Sequence, residues 1–182
     1  DRYDSLLQFW AVMDQRGGGV FVARPAPVDW TLLKRQMLQE SGADPDAVSR
    51  VGAKGLTQFM DATWASWVAN EFGETDAPPR KHVSQFDPED AIRAQADMMA
   101  WLLRVWQGDQ RRALASYNWG IGNVQKAIKA SGDGWEARLP AETAGYLKTI
   151  LGGVTSAPAA ARRATSTTRS RGGCDASRAA TS

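Results

Sequence analysis

The stretch Asp29-Trp30-Thr31-Leu32-Leu33-Lys34-Arg35-Gln36-Met37-Leu38-Gln39-Glu40-Ser41-Gly42 decides how this chain is read. Asp29 is a good N-cap, and Trp30, Leu33, Met37 and Leu38 follow at the spacing of one helix face. The helix runs to Glu40. A glutamate at that end sits against the negative pole of the helix dipole. Partly buried there, its carboxyl keeps a proton toward neutral pH, and a protonated carboxyl can donate to a leaving oxygen. A lone glutamate at a helix end is ordinarily just solvated, so the reading depends on its surroundings.

Outward from this helix the pattern stays helical. Leu6, Leu7, Trp10 and Met13 recur at helical spacing before Gly17-Gly18-Gly19 ends the segment. Asp61 can cap a helix through Trp64, Trp67 and Val68. Asp87-Pro88-Glu89-Asp90 is a strong helix start, carrying Ile92, Met99, Leu102, Leu103 and Trp106 before Gly108 stops it. A further helix is expected from Arg111 to Asn118. After the loop Gly120-Ile121-Gly122 come a short helix near Val124 to Ile128 and a last one from Pro140 to Leu151. Val20-Phe21-Val22 is the best strand candidate, with a small ribbon near Gly52 to Gln58. The expected class is mainly α, a compact helical domain with at most a minor β-ribbon.

The chain has 182 residues, enough for one domain with a real core. That domain is expected over residues 1–154. Residues 155–182 are rich in Ala, Ser, Thr, Arg and Gly and read as a disordered tail or linker. The formal net charge is +2. From Ala157 onward five Arg and one Asp give +4, which leaves about −2 for the rest. The folded part is therefore not a basic nucleic-acid reader. One cysteine, Cys174, excludes an internal disulfide, and with the single His82, expected at the surface, it leaves no metal-ligand cluster. No stretch has the apolar length of a membrane span. No signal peptide is visible in the chain, which starts at Asp1 without Met, so the route of delivery is open. Of the eight Trp, Trp101 and Trp106 are expected in the core, and Trp64 and Trp67 divide evenly between core and groove.

Three further blocks follow Glu40-Ser41. The first is Val48-Ser49-Arg50-Val51-Gly52-Ala53-Lys54-Gly55-Leu56-Thr57-Gln58-Phe59-Met60. Its two glycines three apart allow a tight backbone path beside a ligand, and Gln58 offers both donor and acceptor. The second is Ala115-Ser116-Tyr117-Asn118-Trp119-Gly120-Ile121-Gly122-Asn123-Val124, with polar groups at a helix end facing a loop. The third is Leu139-Pro140-Ala141-Glu142-Thr143-Ala144-Gly145-Tyr146-Leu147. Each alone is a plain turn or helix start.

In this order, over Trp30 to Leu151, the four blocks resemble the lytic transglycosylase family. The resemblance implies a goose-type lysozyme-like helical fold with a deep sugar groove, acting on peptidoglycan glycan strands without a cofactor. It places the catalytic acid/base at Glu40 and an orienting hydrogen bond from Tyr117. Ser49 would stand near the substrate or the acid. Gln58, Gly55, Thr57, Asn118, Trp119, Glu142 and Tyr146 would bind substrate or wall the groove. Thr57 stands where the family often has Met, Asp61 where Pro starts the next helix, Trp119 in place of a small residue and Ile121 in place of Pro. These departures bear on specificity. The same fold also serves hydrolytic goose-type lysozymes, which need another acid, for which Asp44, Asp46 and Asp61 are candidates. A non-catalytic peptidoglycan-binding or structural module is the alternative of another class. The implied place of action is the cell wall, periplasmic, extracellular or virion-associated, within a larger phage-virion or secretion-associated protein.

Overall fold

A computed structural model describes residues 2–16, 19–72 and 78–152. The expected tail, 155–182, lies outside the described residues. Among these, α1 (Asp4–Val12) leads into a hairpin of β1 (Met13–Arg16) and β2 (Val20–Ala23). Then come α2 (Trp30–Ser41), α3 (Asp61–Val68), α4 (Pro88–Val105), α5 (Gln110–Trp119), α6 (Ile121–Ser131), a 3-10 helix (Gly132–Arg138) and α7 (Ala141–Leu151). The class is mainly α with one minor ribbon, as expected.

The central element is α4. Asp87 caps it by accepting from the Glu89 and Asp90 amides, both at 3.0 Å, with Pro88 in the first turn. Ala94 through Met99 are buried on every side, which marks a helix enclosed by its neighbours. It packs against α1, α3 and α5, while α2 bridges α1 and α7, and α5 contacts α6 and α7. Leu7, Leu32, Leu33, Ile92, Met99, Leu102, Leu114 and Leu147 are fully enclosed. Trp67 belongs to this core. Trp64 packs half-buried against it, its ring centroid 4.6 Å from that of Trp67. Trp101 and Trp106 are also half-buried against the core, and His82 is exposed.

Among the described residues, one carboxylate lies within this core. Asp97, 3% exposed, accepts from the guanidinium of Arg24, from Arg80 Nη2 at 3.0 Å and from Trp67 Nε1 at 2.8 Å. Arg93 stands 4.0 Å away and stacks over Trp10 and Trp67. A buried charge persists only when paired and bonded in this way. The network ties the end of the hairpin, α3 and the loop before α4 to the central helix.

Several elements differ from expectation. Met13 leaves the helical pattern and pairs with Ala23 in β1, because the run Val20 to Ala23 needs a partner strand and the chain ahead supplies it. Met60, not Asp61, occupies the N-cap of α3. The Asp61 carboxylate binds Lys54 Nζ at 2.7 Å, which lowers its pKa while leaving it beside the positive end of α3. Residues 48–59 form isolated bridges, Val48 to Lys54 and Lys54 to Phe59, in place of a ribbon. Ile121 and Gly122 belong to the first turn of α6, which leaves Gly120 as the connection.

Candidate active site

Asp29 caps α2 by accepting from the Thr31 amide at 2.8 Å, and Gly42, at φ 66°, ends the helix in the left-handed conformation. This fixes Glu40 in the last turn. Ser41 Oγ then donates to the Leu56 carbonyl at 2.8 Å and docks the helix end on the following loop.

That loop is a compact double turn. The Ser49 amide donates to the Ala53 carbonyl, and Ser49 Oγ accepts from the Ala53 amide, both at 2.9 Å. Gly55 is at φ 71°, and a Cβ there would stand 1.9 Å from the Gln85 carbonyl oxygen, so only glycine fits. Gln58 is held at φ 51°, unusual for a residue with a side chain. Its Nε2 donates to the Gly55 carbonyl at 2.9 Å and the Ala47 carbonyl at 3.3 Å, which offsets the backbone strain.

Glu40, Ser49, Gln58, Tyr117, Asn118, Glu142 and Tyr146, from α2, the loop, α5 and α7, line one groove of about 370 Å³. Gln39, Val51, Ala53, Phe59, Met60, Thr63 and Met98 complete it. The apolar ones among them, Val51, Ala53, Phe59, Met60 and Met98, carried no signal in the sequence, since a methionine or alanine at helix or turn spacing reads as core. A larger hollow of about 550 Å³ lies where the end of the hairpin meets the last turn of α4, and no motif residue lines it. The candidate site is the smaller one, because residues from all four sequence blocks, Glu40 among them, line it.

The structure redistributes the expected roles. Tyr146 Oη, not Tyr117 Oη, hydrogen-bonds Glu40, at 2.6 Å to Oε1. Tyr117 Oη donates instead to the Thr57 carbonyl at 2.9 Å. Gly55 and Thr57 are buried behind the groove, with Thr57 Oγ1 donating to the Ala91 carbonyl at 3.3 Å. Both build the loop and neither lines the groove. Trp119 packs half-buried against the core and is likewise absent from the lining. Asn118 Oδ1 accepts from Thr143 Oγ1 at 2.8 Å, which locks α5 to the start of α7.

Burial pushes the Glu40 carboxyl up to about 7. The Tyr146 hydrogen bond opposes this and the nearby Glu142 carboxylate adds to it. Burial and the Glu40 charge raise the Tyr117 and Tyr146 phenols well above their ordinary value, so both are neutral donors. The groove thus presents a carboxylic acid able to give up and recover a proton near neutral pH. Among the described residues, no group of three His, Cys, Asp or Glu is placed to hold a metal ion, and no helix is long and apolar enough to cross a membrane.

Comparison with known proteins points the same way. The chain is 31% identical over 134 residues to membrane-bound lytic murein transglycosylase D of Escherichia coli K12, covering 70% of this chain and 27% of that protein. It is 33% identical over 129 residues to peptidoglycan transglycosylase gp16 of Escherichia phage T7, covering 68% of this chain and 9% of that one. Among solved structures it resembles the 70 kDa soluble lytic transglycosylase of Escherichia coli, with TM-score 0.58, 26% identity and coverage of 68% and 21%. It also resembles an inactive mutant of Slt from Pseudomonas aeruginosa, with TM-score 0.57, 28% identity and coverage of 68% and 20%. The chain therefore spans roughly a quarter or less of each relative's length. Residues 23–138 match the family model of the transglycosylase SLT domain, and it is to this family that the chain belongs.

Proposed function

We propose that this domain is a peptidoglycan lytic transglycosylase that cleaves the bond between N-acetylmuramic acid and N-acetylglucosamine, with Glu40 as its single acid and base. One observation carries the reading: a half-buried carboxyl in a groove, its pKa raised to about 7 and its orientation held by Tyr146. Glu40 gives its proton to the bridging oxygen, and the C1–O bond breaks. The 2-acetamido group of the muramic sugar supports the developing cation, as in substrate-assisted glycosidases. Glu40, now a carboxylate, takes the proton of the C6 hydroxyl of the same sugar, whose oxygen bonds to C1 and closes a 1,6-anhydro ring. The nucleophile belongs to the bound sugar, so its effective concentration is high and a second carboxylate is not needed.

The other groove residues fit substrate binding. The Gln58 amide nitrogen is committed to the loop, which leaves its carbonyl oxygen for a sugar hydroxyl or acetamido N–H. Asn118 Oδ1 is occupied by Thr143, which leaves its NH2 group for a sugar oxygen. Val51 and Met60 give the rim an apolar side for a pyranose face. The relatives' names support action at the cell wall, and the phage relative, of which the chain covers 9%, supports a place within a larger phage protein.

Hydrolysis on the same fold is the second reading. Asp61 is paired with Lys54, and Asp44 accepts from the Asp46 amide at 3.0 Å. None of Asp44, Asp46 and Asp61 lines the groove. Glu142 does, and it is the carboxylate that favours this reading. Cell-wall zymography with Glu40→Gln tests the common core of both. Lysis should vanish with the fold intact, and full lysis by that variant would refute the assignment.

A further inference from the structure

Gln36 lies one helical turn before Glu40 on the same face of α2, and its side chain is wholly buried. A buried primary amide presents two donors and an acceptor oxygen, each costly to strand. Gln36 Oε1 accepts from Gln95 Nε2 at 3.0 Å, and the same Gln95 nitrogen donates to the Leu33 carbonyl at 3.1 Å. A backbone carbonyl can only accept. Leu33 therefore fixes which end of the Gln95 amide is nitrogen, and Gln95 in turn fixes the orientation of Gln36. Gln36 Nε2 is left facing away from Gln95, buried and without a hydrogen bond of full geometry. It lies beside the Tyr146 hydroxyl, near enough to draw that group's pKa down against burial.

We propose that Gln36 is a positioning residue for Glu40: its amide nitrogen, held in orientation by Gln95, keeps the Tyr146 hydroxyl proton directed at the Glu40 carboxyl. This rests on Glu40 being the acid and base. An N–H beside the Tyr146 oxygen can only donate, so it offers the phenol proton no competing acceptor. A donor at that oxygen also polarises the phenol and strengthens its bond to Glu40. Gln95, Gln36, Tyr146 and Glu40 thus form a one-way donor chain from α4 through α2 and α7. Its effect on Glu40 is to favour the carboxylate, against burial and Glu142. The titratable groups facing Glu40 are Glu142 and Tyr146 from α7 and Tyr117 from α5. The loop, α3 and α4 contribute only uncharged side chains to the groove lining.

Carbon-13 NMR titration of the Glu40 carboxyl, in wild type, Gln36→Met, Tyr146→Phe and the double variant, tests the proposal. Gln36→Met should raise the Glu40 midpoint by about half a pH unit, and the alkaline limb of kcat/KM should move with it. With Tyr146→Phe already present, Gln36→Met should add nothing, because the coupling runs through the phenol. An unmoved midpoint in Gln36→Met, or the same shift with and without the phenol, would overturn it. The wild type supplies a reading that needs no substitution: the Gln36 side-chain amide signals should titrate with the Glu40 midpoint, and signals flat across that range also overturn it. The titration does not depend on turnover. An active Glu40→Gln enzyme would sink the assignment of the acid, whereas the donor chain stands or falls on the midpoints alone.

Discussion

Tyr146 Oη and Glu40 Oε1, separated by 106 positions in the chain, are joined by a 2.6 Å hydrogen bond that links α7 to the last turn of α2. The bond opposes burial at the same carboxyl. Burial alone would hold Glu40 protonated further up the pH scale, and the phenol brings it back to about 7. A general acid that must also act as base works best with its pKa near the working pH.

The raised pKa makes the acid a source of instability at neutral pH. The Glu40 pKa rises from 4.5 in a free side chain to about 7 in the fold. Between those values the folded protein binds more protons than the unfolded one, so stability falls as pH rises through this window. The full contribution is present below 4.5 and is lost once pH has passed about 7. It is on the order of 3 kcal/mol. Urea unfolding at pH 5 and pH 8 should show this loss in wild type and a flatter profile in Glu40→Gln, which should be the more stable of the two at pH 8. Activity, measured as kcat/KM, should fall as pH rises above about 7, where the proton is gone.

The two groove tyrosines should separate cleanly. Tyr146→Phe removes a charge-assisted bond and should raise the Glu40 pKa by about one pH unit, moving the alkaline limb of the activity profile upward. Tyr117→Phe should leave that limb in place. Its cost is a stranded Thr57 carbonyl, about 1–2 kcal/mol of stability, read as a lower unfolding midpoint in denaturant.

Two glycine substitutions should act in opposite directions. Gly55→Ala forces a Cβ onto the Gln85 carbonyl at a positive φ, and should destabilise the protein by more than about 2 kcal/mol. Gly122→Ala lies in α6 with open space at the added carbon, and should stabilise by about 0.5–1 kcal/mol. Paired thermal melts check both.

Asp97→Asn should be among the most damaging substitutions away from the groove. It would leave the Arg24 and Arg80 guanidinia buried around a neutral amide, and breaking such a pair costs about 3–5 kcal/mol. Denaturant titration should show the loss. Asp97 does not line the groove, so a stable remainder of the variant should keep its pH profile.

Much of this was legible in the sequence where one segment decides the outcome alone. Asp29 and Asp87 cap their helices as their spacing requires, and Ile92, Met99 and Leu102, expected along α4, are fully buried. What failed depended on a second segment. Met13 fits a helix until β2 claims it as a partner. Tyr117 and Tyr146 both stand in the motifs, but which hydroxyl reaches Glu40 is set by the rotation of α5 and α7 about their axes. Gly55 signals a turn, while the approach of Gln85 that demands it comes from a loop thirty positions on. Asp97 reads as one polar residue in an apolar helix, because its partners Arg24 and Trp67 lie 73 and 30 positions away.

Mass spectrometry of fragments released from purified peptidoglycan by wild type and by Glu40→Gln tests the proposed chemistry most directly. Muramic ends one water lighter than reducing ends, made by wild type and absent with the glutamine variant, are the predicted result. Reducing ends from the wild type would show hydrolysis instead, and anhydro ends still formed by Glu40→Gln would contradict the role of this carboxyl.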